Sequence, residues 1–169
     1  MSDGGSPAGW SRSDAALAHQ GPGHDARWYT ERFPAAEVEA AFQEYLRVGC
    51  GERDWERYAD MFHDDAVYVE HEDSVHEGRE AIRAWIVPVM AGLPSMTFEV
   101  EWWQIQGNRC TVYIWNRMAD VEGKPTLAFM NMSIVYYGGD GRFRFQEDVI
   151  NTGFTNRAMA EYFRLGGAP

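Results

Sequence analysis

Apolar positions change period twice along this chain. From Pro34 onward, Val38, Ala41, Phe42, Tyr45 and Leu46 recur at i, i+3, i+4, i+7 and i+8, the spacing of an amphipathic helix. Pro34 suits its first turn, where a missing N–H costs nothing. The helix is expected to end at the Gly49–Gly51 stretch. Asp54 is placed to cap a second, short helix with Trp55, Tyr58, Ala59 and Phe62 on one face. "HDDA" then reads as a turn and Ala66–His71 as a strand. Gly78 opens a third helix, with Ile82, Trp85, Ile86 and Val89 together and Pro88 as a kink or stop. Beyond it the period drops to two. Met96, Phe98, Val100 and Trp102 alternate with polar residues, and Arg109–Val121, Thr126–Tyr137 and Arg142–Ile150 read as further strands. "DVEGKP" and "GGDG" supply the hairpin turns between them. Thr155 is the expected cap of a last helix with Met159, Tyr162 and Phe163 as its apolar face.

Helices first, then one strand and a helix, then a long meander, define an α+β fold. The expected architecture is a curved antiparallel sheet wrapped against three helices of the N-terminal half, leaving a cone-shaped pocket, with a short C-terminal helix. Residues 1–30 show no periodicity and are rich in Gly, Ser, Ala, Asp and Pro, so they read as a disordered or loosely packed tail, with residues 31–169 as a single domain. Trp10, Trp28 and Tyr29 stand out in that tail, either incidentally exposed or folded back onto the domain or a partner subunit.

Composition narrows the function. A net charge of −11 argues against nucleic acid and anionic membranes as partners. There is no apolar run of membrane-spanning length, and "MSDGGSPAGW" lacks the basic and apolar regions of a signal peptide. Two cysteines, Cys50 and Cys110, form neither a disulfide framework nor a metal spacing, and a cytoplasmic location follows as the simplest expectation. Aromatic residues make up 14% of the chain, seven of them Trp, so many must line a core, a subunit contact or an apolar pocket.

The chemistry concentrates first in "YVEHEDSVHEGREAIRAW", Tyr68 to Trp85. Tyr68 and Glu70 share one strand face and His71 lies on the other. Glu70 in an aromatic pocket would have its pKa raised into the range of a proton carrier. His71 is the substitute base if the register slips by one. Glu72, Asp73, His76 and Glu77 read as mostly solvated turn, and the His71/His76 spacing fits no metal motif. On the later strands, Arg117 shares a face with Tyr113 and Trp115 and needs an acidic partner, for which Asp148 is the candidate. Asn131 and Ser133 share a face with Phe129 and Val135, as buried hydrogen-bonded groups or as ligand contacts. Trp85, Trp115, Tyr113, Phe62 and Tyr68 are the expected apolar contacts to a substrate. No metal or cofactor is expected. Met130 and Met132, with Trp102, Trp103 and Ile134, read as core or dimer surface.

The run "FQEYLRVGCGERDWERYADMFHDDAVYVEHEDSVHEGREAIRAW" and the hairpin "GGDGRFRFQED" resemble the nuclear transport factor 2-like superfamily, in its SnoaL-like, ketosteroid-isomerase-like and limonene-epoxide-hydrolase-like branch, over most of residues 34–155. The resemblance implies Glu70 as the isomerase-type base and Tyr45 as the hydrogen-bond donor to a developing oxyanion. Ser133 falls where the isomerases carry a second, acidic donor. The epoxide-hydrolase branch implies an acid at Asp148 and an Arg at Arg117, but its third member, an Asp, is replaced by Ala119. Strict alternation from Phe143 and Phe145 would instead turn Glu147 inward, so an inward Asp148 requires a β-bulge between Phe145 and Asp148. The implied function is a small cofactor-independent enzyme using acid–base chemistry on an apolar polycyclic or terpenoid molecule, as an isomerase, cyclase, dehydratase or epoxide hydrolase. The alternative is a non-catalytic ligand-binding or assembly module. A homodimer through the outer sheet face is expected under either.

Overall fold

The computed structural model describes residues 32–70 and 74–168. Helix α1, Ala35–Leu46, buries Val38, Ala41, Phe42 and Tyr45, the stripe its spacing predicts. It does not stop at the glycines. It widens into a π-helical turn, Arg47–Glu52, that ends at Arg53 in the left-handed conformation (φ 57°). Gly49 is needed inside that turn, because a Cβ there would lie 3.0 Å from the Tyr58 ring. Helix α2, Trp55–Asp60, is capped by Asp54, whose side chain accepts from the Arg57 N–H. Helix α3, Arg79–Ala91, runs through Pro88, which therefore does not end it.

Six strands form one sheet: β1, Phe62–Glu70; β2, Ser74–Glu77; β3, Thr97–Gln106; β4, Arg109–Arg117; β5, Ala128–Gly139; β6, Arg142–Ile150. Their spatial order is β2-β1-β6-β5-β4-β3. The sheet is antiparallel except at one pair, second from the β2 edge, where β1 runs parallel to β6. Two local expectations change. The "HDDA" residues belong to β1, where the register with β6 shifts between Phe62 and Val67, and the stretch read as solvated turn supplies the short edge strand β2. Helix α4, Thr152–Arg164, is capped by Asn151 rather than Thr155, and buries Ala158 and Tyr162 while Phe163 stays exposed.

Bulges decide which side chains reach the concave face. On β6, Tyr136 pairs with Phe145 but Tyr137 pairs with Phe143, so Arg144 is an extra residue. Phe143 therefore packs in the main core with Tyr137, whereas Phe145 joins Val69 and Tyr136 on the opposite face. A bulge does exist, but it sits before Phe145 rather than after it. Gln146 and Asp148 are thereby turned inward and buried, and Glu147 points out. On β3, Val100 pairs with Ile114 and Trp102 with Tyr113, so a bulge at Glu101 breaks the alternation. Trp102 leaves the face of Phe98 and Val100 to stack on Tyr113, and Trp103 meets Phe42 at 5.9 Å. Among the described residues no helix is long and apolar enough to cross a membrane.

Candidate active site

The concave face of the sheet and helices α1 to α4 enclose a cavity of about 460 Å³. That volume suits an organic molecule of moderate size. Aromatic walls come from Tyr45, Trp55, Tyr58, Tyr68 and Trp85, and aliphatic and thioether groups come from Ile86, Met90, Leu93 and Met159. The polar lining groups sit on the strands: Glu70, Asn116, Asn131, Ser133, Gln146 and Asp148. Alternation on β4 and β5 sends Asn116, Asn131 and Ser133 inward with Ile114 and Phe129. Glu70, the last residue of β1, stands opposite Asp148 across the parallel pairing with β6.

Asp148 is 6% exposed and is held by neutral donors. The Tyr68 hydroxyl donates to its Oδ2 at 2.5 Å, and the Gln146 amide donates to its Oδ1 at 2.9 Å. Burial pushes its carboxyl above the usual carboxylate range, and hydrogen bonds from Ser133, Tyr68, Gln146 and Asn131 oppose that push. Gln146 is the hub. Its Oε1 accepts from Tyr45 at 3.0 Å and from Tyr58 at 2.8 Å, while its Nε2 also donates to the Tyr68 oxygen at 2.8 Å. Tyr45 and Tyr58 lie 2.9 Å apart. Burial, first, and the Asp148 charge raise the pKa of Tyr68. Burial likewise dominates the raised pKa of Tyr45 and of Tyr58. All three phenols therefore remain protonated donors. Cys50 also lines the cavity, but burial pushes its thiol up to about 12, so it offers no thiolate nucleophile.

The sequence-predicted residues divide. Glu70, Asp148, Tyr45, Asn131, Ser133, Trp85 and Tyr68 come together around the cavity. Arg117 does not reach Asp148. It lies on the convex face, where its Nε donates to Glu99 at 2.5 Å. The expected Arg117–Asp148 pair fails because Arg117 and Asn116 alternate, and Asn116 takes the inward position. Tyr113 and Trp115 share that outer face. Trp115 donates to Glu101 at 2.5 Å, and its ring meets Tyr113 edge-on. Phe62 is fully buried behind the wall, against Tyr58 and Tyr68 at 5.5 and 6.0 Å, and makes no part of the lining. His71 lies outside the described residues, as do Glu72, Asp73 and the tail aromatics Trp10, Trp28 and Tyr29. His76 stacks on Trp85 at 4.4 Å, and burial lowers its pKa. Among the described residues no group of His, Cys, Asp and Glu is arranged to hold a metal ion.

Sequence reasoning missed Tyr58, Gln146, Asn116 and the first turns of α4, which contribute Thr155, Asn156 and Met159. Tyr58 and Met159 were legible only as apolar positions. Gln146 lies two residues before Asp148 on the same strand face, so an inward Asp148 already implies an inward Gln146.

A curled sheet closed by helices, with a buried acid on its floor, defines the class: a small α+β pocket protein. Residues 42–147 match the sequence model of the SnoaL-like domain, well over half of the chain, and the chain belongs to that family. No curated protein matches the sequence. Among solved structures, it is similar to TerC co-crystallised with polyporic acid (18% identity, covering 73% of this chain and 98% of that one, TM-score 0.60). It is also similar to a protein described as a SnoaL-like polyketide cyclase from Shewanella denitrificans OS-217 (16% identity, 76% and 99% covered, TM-score 0.60). A third is an LEH-like epoxide hydrolase from M. tuberculosis (15% identity, 75% and 91% covered, TM-score 0.55). At such identities the likeness is one of fold.

Proposed function

We propose that this SnoaL-like protein is a cofactor-independent acid–base enzyme acting on a small molecule with an apolar polycyclic or terpenoid body. The observation that carries the reading is Asp148. A carboxyl buried in an apolar cavity, with its pKa raised by burial and neutral hydrogen-bond partners, is suited to take up and return a proton. Glu70, beside it on the neighbouring strand β1, is the second proton carrier, able to act on the same face of a bound substrate. Asn131 and Ser133 stand beside Asp148, and their hydrogen bonds favour its ionised form. Tyr45 contributes less directly than its position in the chain implies, because its hydroxyl is engaged with Gln146. Isomerisation, cyclisation, dehydration and epoxide opening all contain this proton transfer. Asp148→Asn keeps the size of the side chain. In a screen of apolar ketones, epoxides and alcohols it is expected to lose about 10²–10⁴-fold in turnover, with ligand affinity nearly unchanged. Unaltered turnover in that variant removes Asp148 from the mechanism.

A second reading, a non-catalytic ligand carrier, draws on the diversion of Arg117 to Glu99 and on Ala119, which leave the acid set of the epoxide-hydrolase branch incomplete. Tight binding with no turnover of any screened class favours it. Under both readings the chain is proposed to pair with a second copy through the convex face. There Trp102, 44% exposed, and the partly buried Tyr113, Trp115, Met130, Met132 and Ile134 form an apolar patch. Met132→Lys is expected to turn a sedimenting dimer into a monomer, and a wild-type monomer at micromolar concentration rules the pairing out.

A further inference from the structure

We propose that the ligand of this cavity carries a protonated amine on its apolar body; this rests on the acid–base reading of the site and narrows its substrate class. The charge inventory is one-sided. Two acids, Glu70 and Asp148, stand on neighbouring strands and both line the cavity, and no Lys, Arg or His is found among its described lining residues. Basic side chains are paired outside the cavity: Arg117 with Glu99, Arg83 with Glu56 and Asp60, and Arg144 with Asp65. Asp148 has its geometry satisfied by Tyr68 and Gln146, but those donors are neutral and bring no compensating charge. A ligand carboxylate or phosphate entering this cavity would bury like charges together without a counter-ion.

The unused polar atoms point the same way. The Thr155 hydroxyl lines the cavity from the first turn of α4, is 8% exposed as a residue, and has no hydrogen-bond partner. The Asn131 Oδ1, on β5, is buried and likewise without a partner, while its Nδ2 donates to Ser133 at 3.3 Å. A buried acceptor left unmade is costly, so these atoms mark where a ligand donor belongs. An ammonium group supplies up to three N–H donors together with the missing positive charge, which a hydroxyl does not. The walls suit it as well. Trp55, Trp85, Tyr58 and Tyr68 line the cavity, and aromatic rings attract desolvated cations.

The test is isothermal titration of the full chain at neutral pH with three probes on one skeleton: 2-naphthylethylamine, 2-naphthylethanol and 2-naphthylacetate. The amine is expected to bind at least about tenfold more tightly than the alcohol, a margin one charge-assisted hydrogen bond supplies, and the carboxylate not measurably. Asp148→Asn should bring the amine down to the level of the alcohol. Glu70→Gln should reduce the same ratio, and provides the comparison if the first variant fails to fold by circular dichroism. An alcohol that matches the amine, a carboxylate that binds, or no binding by any of the three overturns the proposal. Turnover is not read in this titration. Loss of amine selectivity therefore leaves the acid–base reading standing, and an inactive protein that still selects the amine leaves this one standing.

Discussion

The two faces of the sheet are built from the same strands and carry opposite electrostatics. On the convex face, Arg117 and Glu99 pair at 2.5 Å with 42% and 57% of their side chains exposed, so water screens the pair. On the concave face, Asp148 sits 6% exposed against Tyr68, Gln146 and aromatic walls, with no cation beside it. Residue type alone therefore does not tell what a charged side chain does in this fold; the face it lies on does. The exposed pair contributes little to stability, as surface pairs do. The buried acid, without a cation beside it among the described residues, is destabilising as an ion, and that cost is what motivates the proton-carrier role proposed for it.

Breaking the concave network should have the largest effect. Gln146→Leu leaves Tyr45, Tyr58, Tyr68 and Asp148 without their shared partner. The Tyr68–Asp148 and Tyr45–Tyr58 bonds survive, so the tyrosine pair loses its acceptor and Asp148 Oδ1 loses the amide donor; at about 1–3 kcal/mol for each such buried group, thermal unfolding should show a loss of a few kcal/mol. Loss below about 1 kcal/mol would mean the tyrosines repair the network among themselves.

A middle-sized effect separates the faces by pH. The pKa of Asp148 is raised in the fold, so the folded protein binds that proton more tightly than the unfolded chain does. Its contribution to stability is full below the unfolded value of about 3.9, declines as pH rises towards the folded value, and is absent above it. Asp148→Asn removes the decline. Asparagine can keep the contacts by presenting Oδ1 to Gln146 and Nδ2 to the Tyr68 oxygen. The difference in melting temperature between variant and wild type should therefore grow in favour of the variant from pH 4 towards neutrality. A difference that does not vary with pH contradicts a raised Asp148 pKa.

Tyr68→Phe should act on the same group more gently. It removes the 2.5 Å bond to Asp148, a bond that favours the charged form. The acid limb of any turnover–pH profile that needs ionised Asp148 should then move to higher pH, with a stability loss near ~1 kcal/mol. The smallest effect belongs to the convex pair. Arg117→Ala should change stability by less than about 0.5–1 kcal/mol, and turnover not at all. A large loss of turnover would place Arg117 in the mechanism despite its outward position.

The fold was readable from the chain because its main signals are local. The i, i+3, i+4, i+7 stripe of α1, Asp54 as the cap of α2, the period-two strands and the "GGDG" turn each depend on neighbours in sequence. Gly139 and Gly141 in that turn have φ of 94° and 71°, as a tight turn of that composition requires. What alternation could not supply was the phase of each strand. One extra residue at Arg144 reverses every side chain after it, and one at Glu101 reverses Trp102 and Trp103. Those bulges are set by which partner residues pair across the sheet, a non-local choice. Local sequence signals thus specify most of the elements, their order and the residue types of the site. Only tertiary packing decided that Asp148 and Gln146 face the cavity, that Arg117, Tyr113 and Trp115 face away, and that β1 lies beside β6 to set Glu70 opposite Asp148. The physical reason is that a strand's two faces are equivalent until its neighbours and the helices above it bury one of them.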